Sequence, residues 1–466
     1  MTKILFKHQI LILGFGSLGR AILPLLFKTF SIHSTQVTII SNDDSGQTIA
    51  NEFNIPLHVE IVTQHNYLQI IGSRISPNDL LINLSVNISS LALIALCQNK
   101  KTLYLDMSTE PWQGGYTNKL LSPELRANYT LRERVLKLKS KKSSKGPTAL
   151  ITHGANPGLI SHFLKQALLN IANDTGVTYT FPKTAKEWAK LSKTLGIKTI
   201  HIAERDTQVS QYPKKENVFI NTWSVDGLIS ESCQPAELGW GTHEQHFPQD
   251  AQFFPKKNAI YINRPSASVH IRTWTPSNGP FHGLLISHAE AISITDFLTC
   301  KDANGLYRPT VHYAYQPCPD AVRSIAELRS SEWSLQPNKH ILLNDITQGF
   351  DELGILLMGN PKGAYWYGSK LSIEETRQIA PHNNATSMQV IAGAISGIAW
   401  MLENTDQGLV EPEEIDHEFI LKHAQIYLGE VKGYYTDWTP LQNRASLFTE
   451  NLDWSDPWQF SNIRVE

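Results

Sequence analysis

Basic side chains are missing from one long stretch of this chain. From Glu216 to Pro255 there is neither a lysine nor an arginine. Cysteine is scarce too: Cys97, Cys233, Cys300 and Cys318 are the four in 466 residues, far apart and with no CxxC pair. That excludes a disulfide scaffold and a zinc ribbon and fits a reducing cytoplasm. No run reaches eighteen uninterrupted apolar residues, so no membrane span is expected. The first apolar run, ILILGFGSLGRAILPLL, is broken by Gly14, Gly16, Gly19 and Arg20, and no small-residue cleavage site follows it cleanly. A signal peptide is therefore not expected. Net charge is -2, which gives no global field to recruit nucleic acid or a membrane surface. There is no internal repeat and no low-complexity tract. One basic stretch, LRERVLKLKSKKSSKG at residues 131 to 146, holds seven basic residues against one acid. It reads as a mobile, solvated connection to the next strand rather than a nucleic-acid patch.

What is present is an ordinary globular composition, 41% hydrophobic and 18% charged, long enough for two or three domains. The first 110 residues alternate short apolar runs with helical patterns: QILILGF, QVTIIS, DLLINLSV and KTLYLDMS read as strands, SLGRAILPLLFKTF as a helix. This alternation predicts a doubly wound parallel sheet of the Rossmann type, in an α/β protein. From about residue 154 the texture changes. Helical stretches (GLISHFLKQALLNIA, TAKEWAKLSKTLG) give way to strand-like runs (TIHIAERD, FINTWSV, SVHIRTWTP, HGLLISHAEAISI), which predicts a second α+β unit. NNATSMQVIAGAISGIAWMLEN reads as a closely packed buried helix with Asn383 or Asn384 as N-cap. The expected division is residues 1–153, 154–382 and a helical 383–466 that packs back on the first unit.

ILGFGSLG spaces Gly14, Gly16 and Gly19 as G-x-G-x-x-G, with Ser17 and Leu18 inside the motif, after a strand and opening a helix. The pattern suits a tight turn, a close approach of backbone to a pyrophosphate and a helix N-terminus facing negative charge. The second strand ends in SNDDSG, where Asn42, Asp43 and Asp44 stand near the ribose position. A carboxylate there accepts from ribose hydroxyls and repels a 2′-phosphate, and that turn has no arginine, so NAD is expected over NADP. Later strand ends bring Asn83, Ser85 and Asn87, then Asp106, Ser108, Thr109, Glu110 and Trp112, then Thr152, His153, Asn156 and Pro157 toward the same crevice.

The stretch without basic residues carries Glu216, Asp226, Glu231, Glu237, Glu244 and Asp250, with Trp223 and Trp240. A solvated acidic loop has such a composition. A pocket for a cation also accounts for the missing lysines and arginines, because a buried ammonium must be paired and indole faces add roughly 0.5–2 kcal/mol. Glu204 in HIAERD and the pair His288 and Glu290 in LISHAEA extend the set, the pair sharing one face if that segment is a strand. His243 and His246 do not have the HExxH spacing, and no metal is expected. An amine next to NAD can lose hydride only as the neutral base, and deprotonating an alkylammonium of pKa about 10.4 at neutral pH costs roughly 4–5 kcal/mol. A buried His or Glu that takes the proton lowers that cost.

GFGSLG, NLSVN, STEPW, HGANPGLISHF, HIAERD, NTWSVDG, AELGWGTHE, SHAE and NNATSMQV together make the chain resemble the bacterial homospermidine synthases, related in architecture to saccharopine reductases. The likeness runs to about residue 390. It implies a homodimer that oxidises putrescine with tightly held NAD, lets a second putrescine amine attack the imine with loss of ammonia, and re-reduces the product with the same NADH. Spermidine can replace one putrescine, with diaminopropane as the leaving amine. By the resemblance, Trp223 is the cation–π contact, Glu204 and Glu231 bind ammonium ends, Glu110 and Asn156 line the channel, and His288 with Glu290 handles protons. Asp351 in QGFDELG is a candidate for the far ammonium. The family pattern NLSVD is NLSVN here, so Asn87 lacks a charge that could bind a substrate end. Two other readings stay open. One is a saccharopine- or carboxynorspermidine-type dehydrogenase, which would need an arginine clamp, with Arg205, Arg264, Arg272 and Arg308 as candidates. The other is a non-catalytic NAD sensor.

Overall fold

The computed structural model describes residues 3–141 and 145–465. Short aliphatic runs form β1 (Ile10–Leu13), β2 (Val37–Ser41), β3 (Leu57–Val59), β4 (Leu80–Asn83), β5 (Leu103–Asp106) and β6 (Gly146–Leu150). They pair in parallel in the order β3-β2-β1-β4-β5-β6, and the strand Gln407–Val410 adds itself to β6. Every residue of β1, β4 and β5 is buried, as a parallel sheet covered on both faces requires. Helices α1 (Ser17–Thr29), α2 (Gln47–Glu52) and α3 (Ser90–Lys100) provide crossovers. Strand order reverses between β1 and β4, which opens a crevice at their carboxyl ends.

The basic stretch is not the mobile connection expected of it. Helix α4 (Asn128–Lys141) carries it as far as Lys141. Arg132 is buried there, donating to both oxygens of Glu411 and to Asp296, and Lys139 pairs with Glu414. At these two positions partners distant in sequence neutralise charge that made the segment look solvated. Residues 142–144 lie outside the described residues.

The second sheet has eleven strands. At its centre β7 (Thr199–Asp206) lies parallel to a strand from near residue 310, while most neighbours are antiparallel. On one side run β8 (Pro235–Gly239), β9 (Ala259–Pro265), β10 (His270–Thr275) and β11 (Gly279–Ile286); then come β12 (Thr310–Gln316), the strand beside β7, and β13 (Phe350–Asn360) on its other edge. Register sets Glu204 opposite Tyr315 and Leu353, and Asp206 opposite Asp351. These residues, with Tyr313 two before Tyr315, therefore share one face.

Three helices close the site: α5 (Leu159–Thr175), α6 (Val225–Cys233) and α7 (Glu290–Phe297). Two strand-like runs are shorter than expected. The strand Val218–Asn221 stops before Trp223, because Ser224 caps α6 by accepting from the Gly227 N–H. β11 stops at Ile286, and Glu290 opens α7, so His288 and Glu290 belong to a strand-to-helix junction and not to one strand.

Beyond residue 383 the chain holds α8 (Ala385–Glu403), capped by Asn384, and a shorter helix His417–Ala424. It also sends strands into both sheets: Gln407–Val410 into the first, Glu430–Thr436 and Arg464–Val465 into the second. α8 is the one described helix long and apolar enough to cross a membrane, and most of it is buried in this fold. Gly393 allows it to approach closely, since a Cβ there would meet the Gly154 carbonyl oxygen at 1.9 Å.

Candidate active site

The crevice at the ends of β1 and β4 fits a dinucleotide. Gly14 has φ +91°, and a Cβ on it would meet the Ser85 nitrogen at 2.7 Å; one on Gly19 would meet the Gly14 carbonyl oxygen at 2.5 Å. Gly16 faces open space. α1 starts without a side-chain cap and without an acid in its first turn, leaving its first N–H groups for an anion. Ser17 lines a small cleft of about 60 Å³ whose other walls include Leu343, His382 and Asn384 from beyond the first unit. Leu18 packs half-buried against the core. Asp43 is exposed just past β2, its Oδ1 accepting the N–H and hydroxyl of Ser45. The turn has an arginine after all: Arg20, from α1, donates Nη2 to Ser45 Oγ at 2.6 Å and Nε to the Phe15 carbonyl at 3.2 Å. The local sequence does not reveal it, because it arrives from the preceding helix.

The other strand-end residues divide. Asn83 is buried, donating to Tyr104 and accepting the Ser85 N–H and hydroxyl, so its amide is already engaged. Thr109 is buried, and its carbonyl accepts from Tyr116. Asn87 is exposed with φ +65°, a conformation asparagine tolerates better than most residues, and its N–H reaches Glu110 Oε2 at 3.3 Å. Burial, with Glu231 and Asp106 adding repulsion, pushes the Glu110 carboxyl up to about 8. Asn156, before the cis peptide to Pro157, donates to Glu204 Oε2 at 2.5 Å.

Two groups of carboxylates face the crevice from the second unit. In the first, His288 stands between Glu231 Oε2, 3.0 Å from Nε2, and Glu290 Oε1, 3.1 Å from Nδ1. Burial opposes a charge on the imidazole, but the two carboxylates outweigh it and hold His288 well above its usual range. Burial also raises Glu231. The second group is Glu204, Asp206 and Asp351. Glu204 Oε2 accepts from Tyr313 as well as Asn156; Asp206 accepts from Thr222 and Gln208, and Asp351 Oδ2 accepts from Thr386 at 2.5 Å. Asp351 Oδ1 is buried with no partner among the described residues. Burial raises all three, and repulsion from the neighbouring acids adds to it at Glu204 and Asp351. Trp223 lies alongside, its Nε1 donating to Tyr315 Oη at 3.2 Å. Among the described residues no lysine or arginine pairs with either group, so a cationic ligand would meet carboxyl groups that no basic side chain already neutralises.

The acidic stretch that drew attention does not form one pocket. Of its acids only Glu231 reaches the site. Glu237 takes N–H groups from Asn128 and Tyr129; Glu244 takes Thr310 and the Phe460 N–H. Asp226 pairs with Lys339, Asp250 with Arg264 and Arg464, and Glu216 is exposed. Trp240 is core, packed against Phe247 and Phe460. Asp226 and Asp250 draw basic partners from elsewhere in the chain, and Glu237 and Glu244 are satisfied by neutral donors. Sequence reasoning also missed Asp206, Tyr313 and Tyr315. Asp206 is two residues past Glu204, and the tyrosines alternate in VHYAYQ, so period-2 spacing was the available signal. Tyr313 packs between His288 (4.4 Å) and Tyr315 (5.2 Å), bridging the two carboxylate groups.

The arginines that a clamp for a carboxylated substrate would require are occupied elsewhere. Arg264 pairs with Asp250, Arg272 donates to the Pro440 carbonyl and Arg308 to that of Trp240; Arg205 follows Glu204 on β7 and so points to the opposite face, over Phe281.

Residues 10–150 match the saccharopine dehydrogenase NADP binding domain, and residues 154–436 the saccharopine dehydrogenase C-terminal domain. A homospermidine synthase of Mesorhizobium japonicum is 46% identical, the match covering 98% of this chain and 96% of the relative; one from Blastochloris viridis is 46% identical, with 98% and 97% covered. Among solved structures, the homospermidine synthase of Legionella pneumophila in complex with NAD is 56% identical, with a TM-score of 0.93 and coverage of 100% of this chain and 99% of that one.

Proposed function

This chain belongs to the homospermidine synthase family, a group of NAD-dependent aminobutyl transferases, and we propose that it joins two putrescines, or spermidine and putrescine, into sym-homospermidine. The observation that carries the reading is the pair of largely buried carboxylate groups, Glu231–His288–Glu290 and Glu204–Asp206–Asp351, neither with a lysine or arginine partner among the described residues. A diamine dication needs a carboxylate at each end. Bound NAD supplies a hydride acceptor for the oxidation and a donor for the final reduction, so no net redox change results.

The residues divide the remaining work. Residues 1–153 hold the dinucleotide through Gly14, Gly16, Gly19, Ser17, Leu18 and Asp43, with Ser85, Asn83 and Thr109 at the nicotinamide side, joined there by Asn156–Pro157 of the next unit. Residues 154–382 supply the amine site and dimer contacts, and 383–466 tie both units together. Glu204 and Asp351 hold the inner ammonium, with Asp206 beside them. Glu110 and Glu231 receive the other end, with Asn87 at the rim. Trp223 offers its ring face to the cation while Tyr315 fixes the ring edge. His288, clamped by Glu231 and Glu290, moves protons: as imidazolium it donates to a leaving amine, and as the neutral ring it takes the proton of an entering ammonium. All four cysteines are free thiols, in keeping with a reducing cytoplasm.

The test is product analysis of the purified protein with NAD and putrescine. Homospermidine and ammonia without net NADH are expected. Steady NADH without homospermidine would make it a simple amine dehydrogenase, and NAD binding without turnover would make it a sensor.

A further inference from the structure

We propose that Arg20 and Asp43 form one reader of the adenosine 2′ position, in which Arg20 is a phosphate-binding group kept in reserve and Asp43 is the group that refuses the phosphate. The proposal rests on the reading of the crevice as a dinucleotide site and adds to it the choice between two cofactors.

Asp43 and Arg20 are joined through one serine. Arg20 Nη2 donates to Ser45 Oγ at 2.6 Å, and Ser45 donates its hydroxyl and its N–H to Asp43 Oδ1. The Phe15 carbonyl, in the glycine turn itself, fixes Arg20 Nε. The guanidinium therefore lies between the pyrophosphate cradle and the carboxylate at the end of β2, the span a ribose must cross. It is not spent. No bond to Arg20 Nη1 or to Asp43 Oδ2 occurs among the described residues, which leaves a donor and an acceptor at the same spot. Gly46 packs closely against this corner: a Cβ on it would strike the Phe15 ring at 2.2 Å, so the residue whose carbonyl holds Arg20 Nε is itself held in place.

The two ligands call on these groups differently. A ribose with a free 2′-hydroxyl donates to Asp43 Oδ2. A 2′-phosphate is repelled by that carboxylate, although a guanidinium of the kind that binds phosphate in a fork stands beside it. With Asp43 neutral, Arg20 and Ser45 become a phosphate site.

The test is calorimetric binding of NAD and NADP to the full-length protein freed of dinucleotide, as wild type, Asp43→Ser, Arg20→Gln and the double variant, with Asp43→Asn as a second neutralising change if Asp43→Ser does not fold. Wild type should prefer NAD; Asp43→Ser should tighten NADP at least about tenfold while weakening NAD, and adding Arg20→Gln should abolish the gain. An equal gain in the double variant would overturn the role of Arg20. No gain in either neutralised variant would overturn the proposal as a whole. If wild type bound neither dinucleotide, the crevice reading would fail instead.

Discussion

Glu237 and Glu204 are both buried carboxylates on strands of the second sheet, β8 and β7, with β12 between them, and their surroundings differ in one respect. Glu237 is saturated: the Asn128 N–H and amide and the Tyr129 N–H occupy both oxygens. Glu204 receives Tyr313 and Asn156 on a single oxygen and faces two further acids, Asp206 and Asp351. Burial raises both carboxyls, Glu237 to about 7, so a perturbed pKa does not separate them. Saturation by the protein's own donors does. A carboxylate with all its partners is part of the scaffold; one short of partners among other acids awaits a cation.

The sharpest way to break this contrast is charge removal at each position. Glu204→Gln should lower kcat/KM for putrescine about 100-fold or more, near 3 kcal/mol, the order of losing one partner of a buried charge pair. Glu237→Gln should leave kcat/KM of the folded protein within about threefold and cost about 1–3 kcal/mol of stability, because an amide cannot accept on both sides. Equal losses of turnover would remove the distinction. The tryptophans extend it. Trp223→Ala should reduce kcat/KM roughly 10- to 30-fold, mainly through KM, by loss of a desolvated cation–π contact. Trp240→Ala should lower the melting temperature instead and leave KM unchanged, since Trp240 packs on Phe247 and Phe460.

A smaller effect is expected from Tyr313→Phe. Losing a hydrogen bond to the ionised Glu204 raises that carboxyl further, so the acid limb of the kcat/KM profile should move to higher pH by about half to one unit. Its stacking on His288 is kept, which separates this change from a packing defect.

The mildest test uses pH alone. Glu110 is pushed from 4.5 to about 8 by burial, with the acids near it contributing. Because the folded chain holds that proton more tightly than the unfolded one, this contribution to stability is full below about pH 4.5 and fades as pH rises toward 8. A diamine restores the missing countercharge, so putrescine should raise the melting temperature more at about pH 8.5 than at about pH 6. A larger shift at the lower pH would place the diamine away from these acids.

Legibility in the sequence followed the range of the interactions. The glycine turn, β1, β4 and β5 were readable because buried parallel strands are continuous apolar runs and the turn is set by residues within six positions. His288 and Glu290 were found for an incomplete reason, a shared strand face, whereas the ring and carboxylate meet across the start of α7. The acids of the basic-free stretch were over-read because their partners lie far off: Asn128 for Glu237, Lys339 for Asp226, Arg464 for Asp250. Arg20 was overlooked at the β2 turn for the same reason.

The sequence by itself determined the alternation that makes the first sheet, the dinucleotide turn, and the supply of carboxylates, indoles and one histidine from which an amine site could be assembled. These are local or compositional properties, expressed by any fold that buries the apolar runs. Tertiary structure alone decided which acids stay unpaired. That depends on whether a donor from a strand or helix far along the chain reaches the carboxylate first. Glu237 and Glu244 are reached in this way, and Glu204, Glu231 and Asp351 are left to face the crevice.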